Sequence, residues 1–259
     1  EEKPRHRQVV HGLRLEVADA HPGARLLAQH LLGWDTARLL THGDQPATPE
    51  FGHAYEALVA RRVGREPLAY ITGAREFHGL ALRVSPAVLI PRQETETLVD
   101  VCLDLLPVSE ERHVLDLCCG SGCIGITLKL ERPLAVVTLS DVSRAALDLA
   151  EDNAARLGAS IRAVLSDRFA EFEGERFHLI VANPPYIADT EELAPEVRDY
   201  EPEIALYAGE TGLEAYDWIA QDAPMFMRRG GHLVVELGYT QAEAVRALFE
   251  RAGFNHVKS

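Results

Sequence analysis

The chain has 259 residues, 47% of them hydrophobic and 25% charged, enough to bury one large core or two smaller ones and too apolar for disorder. No run of about 18 apolar residues is present to span a bilayer, and the opening EEKPRHRQ lacks both a methionine and the apolar core of a signal peptide, so a trimmed, cytosolic protein with no membrane partner is expected. Forty acidic residues against 26 basic ones give a net charge of −14, a field that repels phosphate backbones, and no direct nucleic-acid partner is expected.

Up to about residue 75 the texture is helical. VVHGLRLEVADA comes first, then PGARLLAQHLLGW opening on a proline, DTARLLTH after a capping Asp35, and TPEFGHAYEALVARRVG. These predict a small helical bundle over residues 1–75. From Glu76 the pattern turns to FHGLALRVSPAVLIPR, β-rich and broken by Gly79 and Pro86, which predicts a hairpin linker over 76–91. Over 92–259 strands and helices alternate, as in a parallel sheet covered on both faces. HVLDLC, AVVTLSDV, SIRAVLSD, FHLIVANPP and HLVVELG are the strands. One intervening helix is capped by Ser143 and stopped at Gly158. Thr240 with Glu243 predicts a capping box for the last helix, and FNHVKS reads as a strand just begun.

Two stretches carry chemistry. In DLCCGSGCIG, Gly120, Gly122 and Gly125 spell G-x-G-x-x-G after the first strand of the sheet, and Asp141 ends the next strand. That spacing suits a nucleoside-bearing cofactor, with glycines admitting close backbone approach and the carboxylate accepting from ribose hydroxyls. Asp116 ends the first strand, where an acid either faces a cationic part of the cofactor or caps the turn. Cys118, Cys119 and Cys123 are too closely spaced for a disulfide framework and lack a second pair for a metal, so reduced packing thiols and no metal are expected. Asp167 and Arg168 follow another strand; a carboxylate there accepts from an exocyclic amine and a guanidinium stacks on a ring.

The second stretch, LIVANPPYIADT, answers the cofactor question more sharply. Asn183 precedes a proline and is pushed to extended backbone, while Pro184 and Pro185 have no N–H to donate. The Asn183 amide oxygen and the Pro184 carbonyl make a pair of acceptors for a planar NH₂ group, and Tyr186 offers it a flat face. Such a grip orients a weakly nucleophilic nitrogen toward an electrophilic methyl.

With DLCCGSG, SDV, SDRF and NPPY together, the chain resembles the PrmC/HemK family of methyltransferases, which modify the glutamine side-chain nitrogen in the Gly-Gly-Gln motif of class-1 peptide chain release factors. The likeness covers nearly the whole chain, and Pro91, Arg92, Thr95 and Glu96 fit the release-factor branch. It implies an N-terminal bundle that docks the release factor and a seven-stranded class I methyltransferase domain. It further implies S-adenosyl-L-methionine held by Asp116, the turn Cys118, Cys119, Gly120, Ser121 and Gly122, and Asp141, with Asp167 and Arg168 at the adenine. Asn183, Pro184, Pro185 and Tyr186 would be the catalytic and substrate-binding corner, with Asn183 also touching the cofactor, and a monomer is expected. Two departures stand out: relatives place Gly and Thr where this chain has Cys118 and Cys119, and an apolar or aromatic residue where it has Arg168. Methylation of an exocyclic amine of nucleic acid, a dinucleotide-dependent oxidoreductase and a silent cofactor-binding scaffold are the alternatives that the residues leave open.

Overall fold

A computed structural model describes residues 22–43 and 46–258; the segment VVHGLRLEVADA lies outside them. By their internal packing the residues divide after Gly73 into two compact units. The first holds helices α1 (Pro22–Leu32), α2 (Thr36–His42), α3 (Pro49–Val63) and α4 (Leu68–Thr72). Asp35 and Thr48 cap α2 and α3 by accepting from the N–H groups of Arg38 and Phe51, which satisfies donors that a helix start leaves orphaned. Leu27, Ala28, Leu39, Tyr55 and Ile71 form the core of this unit, and the Tyr55 hydroxyl donates to the Ala24 carbonyl.

The second unit opens with a hairpin, β1 (Ala74–Phe77) and β2 (Leu80–Arg83). It starts two residues before the segment read as a linker, because Ala74 and Arg75 already pair with Arg83 and Leu82. His78 and Gly79 both take positive φ, the two-residue turn that matches the twist of the strands. The hairpin is fastened to the body of the unit: Glu96 accepts from the His78 N–H, and Asn153 accepts from the Arg83 N–H while its amide donates to the carbonyls of Arg83 and Ser121.

Beyond the hairpin come α5 (Thr95–Leu105), β3 (His113–Leu117), α6 (Cys123–Glu131), β4 (Val136–Asp141), α7 (Arg144–Leu157), β5 (Arg162–Leu165), β6 (Phe177–Ala182), the short α8 (Pro195–Arg198), α9 (Glu214–Phe226), β7 (Met227–Val235) and α10 (Ala242–Arg251). The five strands β3 to β7 form one parallel sheet in the order β5-β4-β3-β6-β7. The resemblance implies seven strands; the described residues build five. Residues 254–258 form no strand; after α10 the chain turns back and Phe254 packs on Phe249 with ring centroids 5.4 Å apart. One core lies between the sheet and α5 to α7, the other under α9 and α10. The Ser143 cap and the left-handed Gly158 stop bound α7 as read from sequence. The expected Thr240–Glu243 box does not form: α10 starts at Ala242 with no side-chain cap, and the neighbouring Gln241 is turned toward Tyr186 instead.

Register does the positioning. Leu117 is opposite Ser140 on one side and Ala182 on the other, and Ala182 is opposite Val235. The residues that follow these ends, Cys118, Asp141, Asn183 and Glu236, therefore emerge along one edge of the sheet, where ligands of open α/β folds bind. Since Asn153 makes three hydrogen bonds from full burial, Asn153→Ala is expected to lower unfolding stability by about 3 kcal/mol, read as a lower denaturant midpoint at unchanged slope.

Candidate active site

A cavity opens at that edge. Its walls come from the turn 117–121, the strand ends at Asp141, Ser166 and Asn183, the segment carrying Pro91, Arg92 and Thr95, and Trp218 of α9. The turn is bent by Gly120 (φ 54°) and Gly122 (φ 78°) and tied to β4 by the Cys119 N–H, which donates to the Ser140 carbonyl. A β-carbon at Gly122 would come within 2.8 Å of Ile126, and one at Gly125 within 2.2 Å of Leu139; these glycines are required by close packing of turn and helix. Cys118 has φ 59°, so the first family glycine position keeps a left-handed backbone while carrying a side chain, a conformation that costs an L-residue about 1 kcal/mol.

Asp141 lines the cavity, with Oδ2 accepting from the Gly120 N–H at 2.9 Å and Oδ1 from the Ser143 N–H at 2.9 Å. Burial pushes its carboxyl up, and these bonds oppose the push. Asp116 sits elsewhere. It is fully buried outside the cavity lining, and its Oδ2 accepts from the Gly125 N–H at 2.8 Å. The capping contact is the one that the structure shows, and Asp116 does not line the cavity. Its other oxygen has no partner among the described residues, and burial raises its carboxyl to about 7, with Asp141 adding to the rise and the Gly125 bond resisting it.

Cys118, Cys119, Gly120 and Ser121 line the cavity, as does Cys123. All four cysteines are free thiols, and burial pushes that of Cys123 up to about 12, which leaves it unreactive. Asp167 and Arg168 stand at the rim, exposed, with the Arg168 guanidinium 5.3 Å from the centre of the Trp218 ring. Trp218 has no counterpart in the sequence reading, since a tryptophan on an amphipathic helix carries no local sign of a site.

At the other end, Asn183 and Pro185 reach the cavity wall, whereas Pro184 is buried and Tyr186 lies behind the wall, half-buried against the second core. The Tyr186 carbonyl accepts from Gln241 Nε2 at 2.9 Å. Past the prolines the chain pairs again: Ile187 donates to the Leu206 carbonyl and Asp189 to that of Gly209. Asn183 Nδ2 donates to Thr95 Oγ1 at 3.4 Å. Both groups lie against the carboxyl of Glu236, which burial raises and their hydrogen bonds lower. Arg92 is held by Glu201, whose Oε1 accepts from it at 2.6 Å while Oε2 accepts from the Ile90 N–H. Glu236, Gln241 and Glu201 escaped sequence reasoning because their partners are distant in the chain; an acid at the end of HLVVELG was the one available signal.

The cavity suits a ligand carrying an adenosine. It offers a ring surface at Trp218, an acceptor at Asp141, and a buried Ser140 hydroxyl on its wall with no partner among the described residues. The donor set fits the cofactor that the sequence implies.

Residues 8–73 match the PrmC N-terminal domain and residues 93–198 the methyltransferase small domain. The chain is 45% identical over 240 residues to the release factor glutamine methyltransferase of Geobacter sulfurreducens, covering 92% of this chain and 84% of that protein. To the protein of the same name from Burkholderia pseudomallei it is 45% identical over 244 residues, covering 91% and 86%. Among solved structures, a methyltransferase from Pyrococcus furiosus superposes with a TM-score of 0.51 at 13% identity, over 77% of this chain and 87% of that one, a likeness of fold.

Two outcomes follow from the turn. Cys118→Gly is expected to be about 1 kcal/mol more stable than Cys118→Ala, because both lose the thiol and the glycine alone relaxes the left-handed backbone. For Asp116, the unfolded chain loses the proton near 4 and the folded chain near 7, so the folded state binds more protons between them and stability falls as pH rises through that window. In urea unfolding of the ligand-free protein, Asp116→Asn should therefore gain on the wild type by more than about 1 kcal/mol between pH 5 and 8; a constant difference would contradict the assignment. By sequence identity across nearly its full length, the chain belongs to the release factor glutamine methyltransferase family.

Proposed function

We propose that the protein uses S-adenosyl-L-methionine to methylate the side-chain N5 of the glutamine in the Gly-Gly-Gln motif of class-1 peptide chain release factors, releasing S-adenosyl-L-homocysteine. The observation that carries this reading is a donor-poor corner, Asn183 to Tyr186, whose Asn183 and Pro185 line a cavity beside the glycine turn and Asp141; the names of the relatives support the substrate.

The turn Cys118 to Gly122 and Asp141 hold the cofactor, with Asp167, Arg168 and Trp218 around the adenine and Asp116 stiffening the turn from below. When bound, the cofactor supplies an electrophilic methyl on a sulfonium. Asn183 Oδ1 and the Pro184 carbonyl take the two hydrogens of the glutamine carboxamide, and Pro185 and Tyr186 keep that corner rigid. The nitrogen is thereby aimed at the methyl, and the charge that grows on its hydrogens is met by two fixed acceptors. On gaining the methyl that the cofactor would supply, the substrate nitrogen would shed one proton to solvent, and S-adenosyl-L-homocysteine would leave. The N-terminal helices dock the release factor, and the protein acts as a monomer in the cytoplasm. An excess of 14 negative charges disfavours a nucleic-acid substrate.

Incubation with cofactor should add the mass of one methyl group to the Gly-Gly-Gln peptide of a release factor; no gain, or faster transfer to DNA or RNA, contradicts the reading. Asn183→Ala should lower kcat by about 10²- to 10³-fold while unfolding stability changes by no more than about 1 kcal/mol, since the side chain is only half-buried and its bond to Thr95 is long.

A further inference from the structure

Asn183 serves the proposed reaction in only one of its two amide orientations. With Oδ1 toward the cavity it accepts from a substrate N–H; rotated by half a turn it presents a donor to a group that has only hydrogens to give. The NPPY sequence does not choose between the two, so something behind Asn183 must.

The neighbouring strand provides it. The Glu236 N–H donates to the Ala182 carbonyl at 3.0 Å, which places Glu236 beside Asn183 just beyond the paired ends of β6 and β7. The Tyr216 hydroxyl donates to the Glu236 carbonyl at 3.0 Å and fixes the backbone there. Thr95 is 1% exposed; its hydroxyl accepts from Asn183 Nδ2 and has its own hydrogen left for the Glu236 carboxylate against which it lies. Glu236 Oε2 is buried without a partner among the described residues, so this corner has acceptor capacity to spare and a second oxygen turned toward it would be repelled. Glu236 itself does not line the cavity.

We propose that Glu236 is a positioning residue for methyl transfer: its carboxylate, acting directly and through Thr95, holds Asn183 Nδ2 inward and so keeps Oδ1 facing the substrate nitrogen. The polarity runs one way, from amide N–H to hydroxyl to carboxylate, and a carboxylate, having no hydrogen to give, cannot reverse it. This inference rests on the function proposed above.

Glu236→Gln tests it, because the new amide has nearly the same shape and adds a donor that stabilises the reversed Asn183. With the full chain and a release factor as substrate, E236Q should lower kcat about 10- to 100-fold, leave the affinity for S-adenosylhomocysteine within about twofold, and be partly restored in E236D. A second pair of variants reads the orientation itself. In N183D two carboxylates face each other and activity falls. In N183D/E236Q the introduced amide donates to one oxygen of the introduced carboxylate and leaves the other facing the substrate, so the double variant should exceed N183D by about tenfold or more. Wild-type kcat in E236Q, or a double variant no faster than N183D, overturns the proposal. Should E236Q fail to fold, E236D decides: it keeps the charge but draws the carboxylate back from Asn183, so kcat should fall below wild type with S-adenosylhomocysteine affinity within about twofold, and wild-type kcat in E236D overturns the proposal. A wild-type protein that transfers no methyl to a release factor defeats the functional reading instead, and so the two failures are distinguishable.

Discussion

The site depends on parallel strand register. Because Leu117, Ala182 and Val235 are paired across three adjacent strands, the residues one step beyond each of them share an edge and a direction, and the cofactor turn, the acceptor corner and the acid behind it are assembled without any loop having to find its place. A slip of one residue in β6 would turn Asn183 to the opposite face of the sheet. The rows are fixed by burial on both faces: Leu115, Ile180 and Val181 are fully buried, so a shifted register would carry no compensating gain in packing.

Around that edge the electrostatics are acidic and mostly uncompensated by bases. Asp116, Asp141 and Glu236 are all pushed toward their neutral forms by burial, a destabilised arrangement that a cationic ligand relieves. Sulfonium and ammonium groups are such ligands, and their arrival would favour the charged forms of these carboxylates. The thiols of the turn play no part in this balance. Cys118 and Cys119 stand where the resemblance implies Gly and Thr; Cys118 takes a left-handed backbone and Cys119 is buried in the core.

What could be read from sequence was what is local. The glycine turn, Asp141, the rigid Asn-Pro-Pro corner, the caps at Asp35 and Ser143 and the stop at Gly158 each follow from a few adjacent residues, and the alternation of strands and helices announced a parallel sheet. What escaped is long-range. Asn153 joins the hairpin to the turn across 70 residues of chain, Glu201 meets Arg92 across 109, and Trp218 reaches the cavity from a helix with no motif. Where a local rule failed, a distant partner had displaced it: Gln241 holds the Tyr186 and Gly212 carbonyls, and the predicted Thr240 cap gives way. Asp116 shows the converse, since its position at a strand end suited two roles and its full burial and its bond to the Gly125 N–H could be seen only in the fold.

The most direct test of the account is a crystal structure with S-adenosylhomocysteine and a Gly-Gly-Gln peptide bound. The account predicts the glutamine carboxamide nitrogen pointing at the cofactor sulfur, with its hydrogens on Asn183 Oδ1 and the Pro184 carbonyl. A peptide seated elsewhere, or an Asn183 that turns its Nδ2 to the glutamine, would contradict it.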